Sequence, residues 1–322
     1  MSDNIASAGL DASEITELRS KYYNATITER IDSHSDLTRF RIRPDAGFDP
    51  FEPGQYVAMG LGNWEPRLDG TQVETLPEKK LRKVVRRAYS ISCPLLSNDG
   101  ELAPVDKIDY LEFYVTLVRE ASSPDEKPPA LTPRLFKLGV GDRLVVEKKI
   151  TGHYTLGDVG KDDTILMLST GTGEAPHNAM TAKLLSDGHQ GRIINATSVR
   201  NRKDLAYLAV HQELMRRFSN YRYLPYTTRE PENLQVSHSK YVGKQYLQDL
   251  FVSGKLSEDA GVALEPSSTH VFLCGNPSMI GYVPPGAPPL DSPGMLTRLT
   301  DAGFREGADC HSVGCVRFEK YW

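Results

Sequence analysis

Two glycine-containing stretches each end an apolar run: "STGTGEAP" at 169–176 and "CGNPSMI" at 274–280. Gly171 and Gly173 let a backbone come close to a ligand. The helix expected after them presents free N–H groups and a positive dipole end, an arrangement suited to a pyrophosphate. Thr172 lies between the two glycines. The pattern is not G-x-G-x-x-G, because Pro176 stands where the third glycine would be, and it is not a Walker loop; a plain tight turn is the bland alternative. Cys274, Gly275 and Asn276 follow the second apolar run. Ligands of open α/β sheets sit at the carboxyl ends of the strands, so both stretches open on one crevice. A lone cysteine is otherwise a small buried hydrophobe.

A third stretch, "KKLRKVVRRAYSIS" at 79–92, carries six basic residues in its first nine positions and then turns into a small alternating run. Arg87 offers a forked donor to phosphate oxygens and Tyr89 a flat apolar face with a polar tip. Strand alternation puts Arg87 and Tyr89 on one face and Ala88 and Ser90 on the other, so a local twist is needed for Ser90 to join them. Taken alone, these four residues read as an ordinary edge strand.

The elements that must hold these residues change character near residue 160. Short β-branched or aromatic runs at 55–60, 88–92, 111–118 and 142–148, separated by Gly, Pro and Asp, read as antiparallel strands of a barrel. After them, 164–170, 192–199, 221–229 and 270–276 read as strands alternating with helical segments at 175–185, 205–218 and 242–254, which implies a parallel sheet covered by helices. The expected division is a polar extension at 1–20, a barrel domain at 21–158 and an α/β domain at 159–322. Residues 62–83 form a charged excursion between barrel strands, and 281–294 is rich in Pro and Gly; both read as loops.

A chain of 322 residues exceeds one ordinary core. Its net charge of −4 and pI near 6.1 argue against nucleic acid as the main ligand. The first twenty residues have no apolar core and read as neither signal nor transit peptide, and no apolar run is long enough to cross a bilayer, so a cytoplasmic protein without membrane attachment is expected. Cys93, Cys274, Cys310 and Cys315 are too few and scattered for a disulfide framework, and reduced thiols are expected. The spacing of Cys310 and Cys315 lacks the further cysteines of an iron–sulfur loop, so no metal centre is expected.

In their order along the chain, "RAYS" at 87–90, "GTGEAP" at 171–176, "CGNPSM" at 274–279 and the terminal "EKYW" resemble the ferredoxin–NADP reductase family, most of all its bacterial branch. "LEFYVTLV", "LTPRLFKLGVGDRL", "DLAYLAVHQEL" and "VSGKLS" lie between them in similar order. The resemblance implies an FAD-binding barrel followed by an NADP-binding α/β domain whose C-terminal tail returns to the flavin. It implies that Arg87 contacts the flavin pyrophosphate, Tyr89 packs on the isoalloxazine or its ribityl side, and Ser90 lies near flavin N5, with Ala88 in the same stretch. Tyr114, Val115 and Thr116 match flavin contacts, Leu131 and Thr132 a phosphate-contacting stretch, and Tyr321 and Trp322 the terminal aromatics. Thr132 also reads as a helix N-cap with Pro133 at the first helical position.

For NADP, the resemblance points to Gly171, Thr172, Gly173, Val199, Arg200, Thr228, Arg229, Gly275 and Asn276, with the two arginines reading the 2′-phosphate. Lys244 stands where related bacterial enzymes usually carry arginine; it keeps the charge and loses the fork. Ser90 and Cys274 align the nicotinamide with the flavin, and Glu319 matches a carboxylate that relays protons. The implied activity is hydride exchange with NADP(H) and one-electron exchange with ferredoxin or flavodoxin, acidic carriers that the basic run at 79–86 would steer. Two rivals remain: a reductase component of an oxygenase system using NAD(P)H, and a non-catalytic flavin- or nucleotide-binding regulator.

Overall fold

The computed structural model describes residues 10–283, 286, 288–307 and 312–321. Cys310 and Trp322 lie outside the described residues. The chain forms two compact units: one of Met1–Phe51, Gln55–Ile91 and Asp106–Gly152, the other of Glu52–Gly54, Ser92–Val105 and His153–Trp322.

The first unit opens with helix α1 (Ala12–Tyr22). Asp11 caps it by accepting the Glu14 N–H at 2.8 Å, and the Glu14 carboxylate returns the bond to Asp11 N–H, a reciprocal capping box. The helix thus begins inside the stretch read as a polar extension, and Ile15, Leu18 and Tyr22 pack on the core. Strands β1 (Ala25–His34), β2 (Leu37–Pro44) and β3 (Tyr56–Gly62) follow, then the short helix α2 (Glu78–Leu81) and β4 (Val84–Ser90). A two-residue pair, β5 (Leu95–Leu96) and β6 (Leu102–Ala103), belongs to the second unit. Strand β7 (Leu111–Thr116), helix α3 (Thr132–Leu135) and β8 (Arg143–Val146) complete the first.

The first unit's sheet has the order β4-β3-β8-β1-β2-β7, antiparallel throughout. Its end strands approach each other where the Tyr89 ring meets Phe113 edge-on at 6.3 Å. Ile27, Phe40, Ile42, Val57, Met59 and Phe113 fill the interior, all fully buried. The excursion after β3 is an ordered part of this unit and no free loop. Trp64 is buried beside the rings of Tyr22 and Tyr23, and Glu65, 5% exposed, accepts from Arg19 Nε at 2.8 Å and the Tyr23 hydroxyl at 2.7 Å.

In the second unit β9 (Thr164–Thr170), α4 (Glu174–Ser186), β10 (Ile193–Val199), α5 (Leu208–Arg217) and β11 (Tyr221–Thr227) alternate as the apolar runs predict. Helices α6 (Pro231–Leu234), α7 (Leu247–Val252) and α8 (Lys255–Ala260) precede β12 (Thr269–Gly275), and α9 (Pro277–Ile280), α10 (Met295–Asp301), β13 (Arg305–Glu306) and β14 (Cys315–Lys320) end the chain. The sheet order is β11-β10-β9-β12-β14-β13, all pairs parallel. Strands β10 and β12 are buried from end to end, as strands covered on both faces must be. Cys315–Lys320 form a sheet strand, with Cys274 opposite Glu319 in the β12–β14 register.

Two sequence expectations fail. Thr132 is not a cap: Leu131 holds the cap position, Thr132 opens α3 with Pro133 after it, and the Thr132 hydroxyl instead accepts the Val118 N–H at 3.1 Å. The helix start is built by tertiary contact with the neighbouring segment, which local sequence does not encode. The thiols are not all reduced either: Cys93 and Cys274 lie outside any disulfide, whereas Cys315 is disulfide-bonded.

Candidate active site

The residues singled out in the sequence fall in both units, and each half has its own geometry. In the first unit β4 is an end strand, paired on one side by β3 with Tyr56 opposite Ser90 and Met59 opposite Arg87. Burial rises over its last residues: Arg87 and Ala88 are exposed, Tyr89 half-buried and Ser90 buried. Ser90 remains in the ladder opposite Tyr56 and is the buried end of the strand. The Arg87 guanidinium donates to the Arg86 carbonyl at 2.8 Å and enters no ion pair among the described residues. Burial raises the Tyr89 phenol well above its ordinary pKa, with Arg87 opposing, so the ring stays neutral. Strand β7 is the opposite end strand; Tyr114 and Val115 on it are buried and Thr116 half-buried. Leu131 is buried and Thr132 half-buried at the start of α3.

In the second unit the two glycine turns do converge. Gly171 has φ +54°, a conformation that favours glycine. A Cβ on Gly173 would lie 2.3 Å from the Cys274 carbonyl oxygen, and one on Gly275, at φ +126°, 2.4 Å from Thr170 Oγ1. That hydroxyl accepts the Asn276 N–H at 2.8 Å, so backbone meets backbone with no room for a side chain. The Asn276 side chain is taken up in capping α9, where it accepts the Ser278 N–H at 2.8 Å.

Cys274 is fully buried. Burial pushes its thiol far up, partly offset by the neighbouring Tyr321 hydroxyl, so it stays S–H at neutral pH. Burial also raises the Glu319 carboxyl, against Lys320. Tyr321 N–H donates to the Gly275 carbonyl at 3.0 Å, which fixes the end of β14 beside the glycine turn.

At the same carboxyl edge, β10 and β11 end side by side. Val199 and Thr228 are buried, while Arg200 and Arg229 are exposed beyond them, joined by the bond from Arg229 N–H to the Arg200 carbonyl at 2.8 Å. Gln245 ties the segment carrying exposed Lys244 to both strands: its N–H donates to Thr227 and its carbonyl accepts from Ser198 Oγ at 3.2 Å. Three cations thus share one corner of the unit. The guanidiniums of Arg200 and Arg229 make no ion pair among the described residues.

Sequence reading missed a buried polar network beneath α4. Glu174, in the first turn after the glycines, accepts from the Tyr223 hydroxyl at 2.7 Å and lies 3.1 Å from His211 Nε2; the Tyr221 hydroxyl is 2.7 Å from His211 Nδ1. His211 stacks on Tyr223 with centroids 3.9 Å apart. Asn178, Thr181, Asn195 and Thr197 are fully buried around it. The one available signal was the polar spacing Glu174, Asn178, Thr181 along a helix that turns out to be buried on that face. Next to it, His177 Nε2 lies 2.7 Å from the Tyr154 hydroxyl, and burial pushes the His177 pKa down to about 3.

Residues 167–284 match the oxidoreductase NAD-binding domain family. A ferredoxin–NADP reductase of Pseudomonas aeruginosa is 30% identical over 266 residues, covering 79% of this chain and 85% of that one. A flavodoxin/ferredoxin–NADP reductase of Escherichia coli is 29% identical over 243 residues, covering 75% and 80%. Among solved structures, a ferredoxin NADP+ reductase from Neisseria gonorrhoeae with bound FAD and NADP superposes with a TM-score of 0.65 at 19% identity, covering 92% of this chain and 98% of that one. The flavohem-like FAD/NAD-binding domain of a nitric oxide dioxygenase from Vibrio cholerae reaches 0.60 at 16% identity, covering 93% and 98%, so the fold is shared beyond one activity.

Proposed function

Because the chain belongs to the ferredoxin–NADP reductase family, sharing 30% identity across 85% of a member's length, we propose that it is an FAD-dependent oxidoreductase exchanging hydride with NADP(H) and single electrons with ferredoxin or flavodoxin. The observation that carries this reading is the convergence of Gly173 and Gly275, a cradle that any Cβ would fill, beside a corner holding Arg200, Arg229 and Lys244. That donor set fits a nucleotide with a diphosphate and a further phosphate. On the first unit, the exposed guanidinium of Arg87 and the half-buried ring of Tyr89 on an end strand fit a flavin diphosphate and an isoalloxazine edge.

Bound flavin supplies the conversion between two-electron and one-electron transfer. The protein's residues supply orientation and charge. Arg87, Leu131 and Thr132 would hold the flavin phosphates, and Ala88, Tyr89, Tyr114, Val115 and Thr116 would line its ring and ribityl side. Ser90 presents a hydroxyl at the strand end. Gly171, Thr172, Gly173, Gly275 and Asn276 receive the nucleotide diphosphate, and Val199 and Thr228 flank the arginines that read the 2′-phosphate. Cys274, kept as a neutral thiol by burial, aligns the nicotinamide and does no thiolate chemistry. Glu319, whose carboxyl burial raises, holds a proton more readily than a free glutamate.

The carrier approaches through the basic run. Arg82 is paired with Glu14 at 2.6 Å and Arg86 with Glu147, which leaves Lys79, Lys80 and Lys83 as the exposed cations that would meet an acidic partner. No helix among the described residues is long and apolar enough to cross a membrane, and no group of three His, Cys, Asp or Glu residues there holds a metal ion.

The test begins with the visible spectrum of the purified protein and its turnover with NADPH and NADH. A colourless protein that takes up no FAD would end the reading. Arg200→Ala or Arg229→Ala should weaken NADPH by about 1.5–3 kcal/mol and leave NADH unchanged, the usual worth of a charge-assisted hydrogen bond. Equal losses for both nucleotides would remove these arginines from the 2′-phosphate.

A further inference from the structure

The excursion after β3 returns to the first unit as a strap. Leu68 N–H donates to the Pro133 carbonyl at 2.8 Å and Gln72 N–H to the Arg119 carbonyl at 2.8 Å, while Gln72 Oε1 accepts the Ala121 N–H at 2.8 Å. Two arginines share one carboxylate oxygen under it: Arg134 Nη1 lies 2.8 Å and Arg67 Nη1 3.3 Å from Glu74 Oε2. The side chains of Arg134, Glu74 and Arg67 are 3%, 9% and 15% exposed. Both guanidiniums also hold backbone carbonyls, Arg67 those of Pro129 and Gln72, each at 2.8 Å, and Arg134 those of Ala130 at 2.5 Å and Asn63 at 3.1 Å. Pro129 and Ala130 immediately precede Leu131 and Thr132.

Two arginines against one carboxylate leave a surplus positive charge in a site largely withdrawn from water. Burial lowers the Arg67 pKa, and the charge of Arg134 lowers it further. Arg134 Nε is buried with no hydrogen-bond partner. Neighbouring charges do not relieve the surplus: Arg119 is closed on Asp36 at 2.6 Å, and Asp69 is 99% exposed, 4.0 Å from Lys137. Among the described residues no second carboxylate pairs with Arg67 or Arg134. A strap needed only for mechanical support gains nothing from uncompensated buried charge, which costs stability. An anion bound alongside would balance it.

We propose that Arg67 and Arg134 are positioning residues of the flavin-phosphate site, fixing the 129–132 backbone and holding, against the single carboxylate of Glu74, a surplus positive charge beside it, so that the strap favours a flavin carrying a diphosphate. The inference rests on the reading that Leu131 and Thr132 contact those phosphates. Its test compares holo-protein variants by diluting them and following FAD release as recovered flavin fluorescence, over a range of salt.

Arg67→Met should raise the FAD dissociation constant about three- to tenfold and flatten its salt dependence, as expected for removing a half-buried charge near a phosphate. Glu74→Gln breaks the same ion pairs and adds net positive charge, so it should tighten FAD and steepen the salt dependence. Opposite signs distinguish charge from mechanical support. Both variants weakening FAD, or Glu74→Gln leaving it unchanged, would overturn the proposal. Should Arg67→Met not fold, Arg67→Lys, which keeps the charge and loses the fork, is expected to retain FAD within about threefold of the parent, and a larger loss counts against the proposal. A parent protein that binds no FAD at all would show failure of the functional reading itself.

Discussion

The two units bury carboxylates in different ways. In the first, Glu65 is met by Arg19, Glu74 by Arg67 and Arg134, and Glu112 by Arg41, so each acid faces a cation that stays charged at any ordinary pH. In the second, Glu174 is met by His211 and the Tyr223 hydroxyl within a cluster of buried Asn, Thr and Tyr. Arginine forks make local clamps at the edge of an apolar core. The imidazole and hydroxyl network instead joins α4, α5 and β11 into one hydrogen-bonded interior, whose integrity depends on proton positions. The α/β unit should therefore be the more sensitive of the two to small chemical changes.

The sharpest break is steric. Gly173→Ala or Gly275→Ala forces a Cβ within about 2.4 Å of backbone or hydroxyl oxygen, and Gly275 adds a disfavoured φ. Each should cost about 3 kcal/mol or more and abolish nucleotide binding. Unfolding curves and nucleotide titration measure the two losses, and a fully stable Gly275→Ala protein would contradict the packing described.

His211→Ala comes next. It strips Glu174 and the Tyr221 hydroxyl of a partner inside the protein, for an expected loss of about 2–4 kcal/mol. Truncating exposed Arg19, which also removes a partner from a buried carboxylate, should cost less, because the Tyr23 hydroxyl still serves Glu65 and water reaches the half-exposed arginine site. Equal losses measured by chemical denaturation would erase the contrast between the units.

Acid should separate them further. The folded-state pKa of His177 is near 3, against about 6.5 when unfolded. The unfolded chain therefore takes up a proton first, and the stability that a neutral His177 allows is complete above pH 6.5 and lost progressively as pH falls toward 3. At pH 5 the loss from this residue is about 2 kcal/mol. His177→Gln should flatten that slope between pH 7 and 5; an unchanged slope would take the effect away from His177.

The smallest effect is on the surface. Changing Lys79, Lys80 and Lys83 together to Glu should slow carrier reduction about tenfold at low salt and little at high salt, leaving hydride transfer from NADPH unaltered. Stopped-flow traces across a salt series read both steps, and carrier kinetics equal to the parent's would make the run a solvated surface with no docking role.

What was legible in the sequence was whatever backbone geometry demands locally. Gly173 and Gly275 sit where a Cβ would collide, Gly171 has a φ that favours glycine, and the apolar runs 164–170 and 270–275 become buried strands. The illegible parts depend on partners distant in the chain. Glu174 reads as an ordinary helix-starting acid until β11 brings Tyr223 to it, and Arg67 and Glu74 read as loop charges until Arg134 arrives from α3. Thr132 misled for the same reason, since its hydroxyl answers to Val118 and not to its own helix. The strand at Cys315–Lys320 was hidden behind a stretch without periodicity, and its register with β12 is set by tertiary pairing.

The end-strand position of β4 carries one more consequence. Backbone donors and acceptors along one side of Val84–Ser90 lack a ladder partner in the sheet, the arrangement through which proteins add strands from other copies of themselves. Exposed Arg87, which enters no ion pair among the described residues, puts a charge on that strand that disfavours pairing with a second copy. An Arg87→Ala protein made to probe phosphate binding would also lose part of this guard, and self-association could then pass for loss of flavin. Light scattering measured beside flavin content separates the two, because a pure phosphate-contact defect leaves the protein monodisperse.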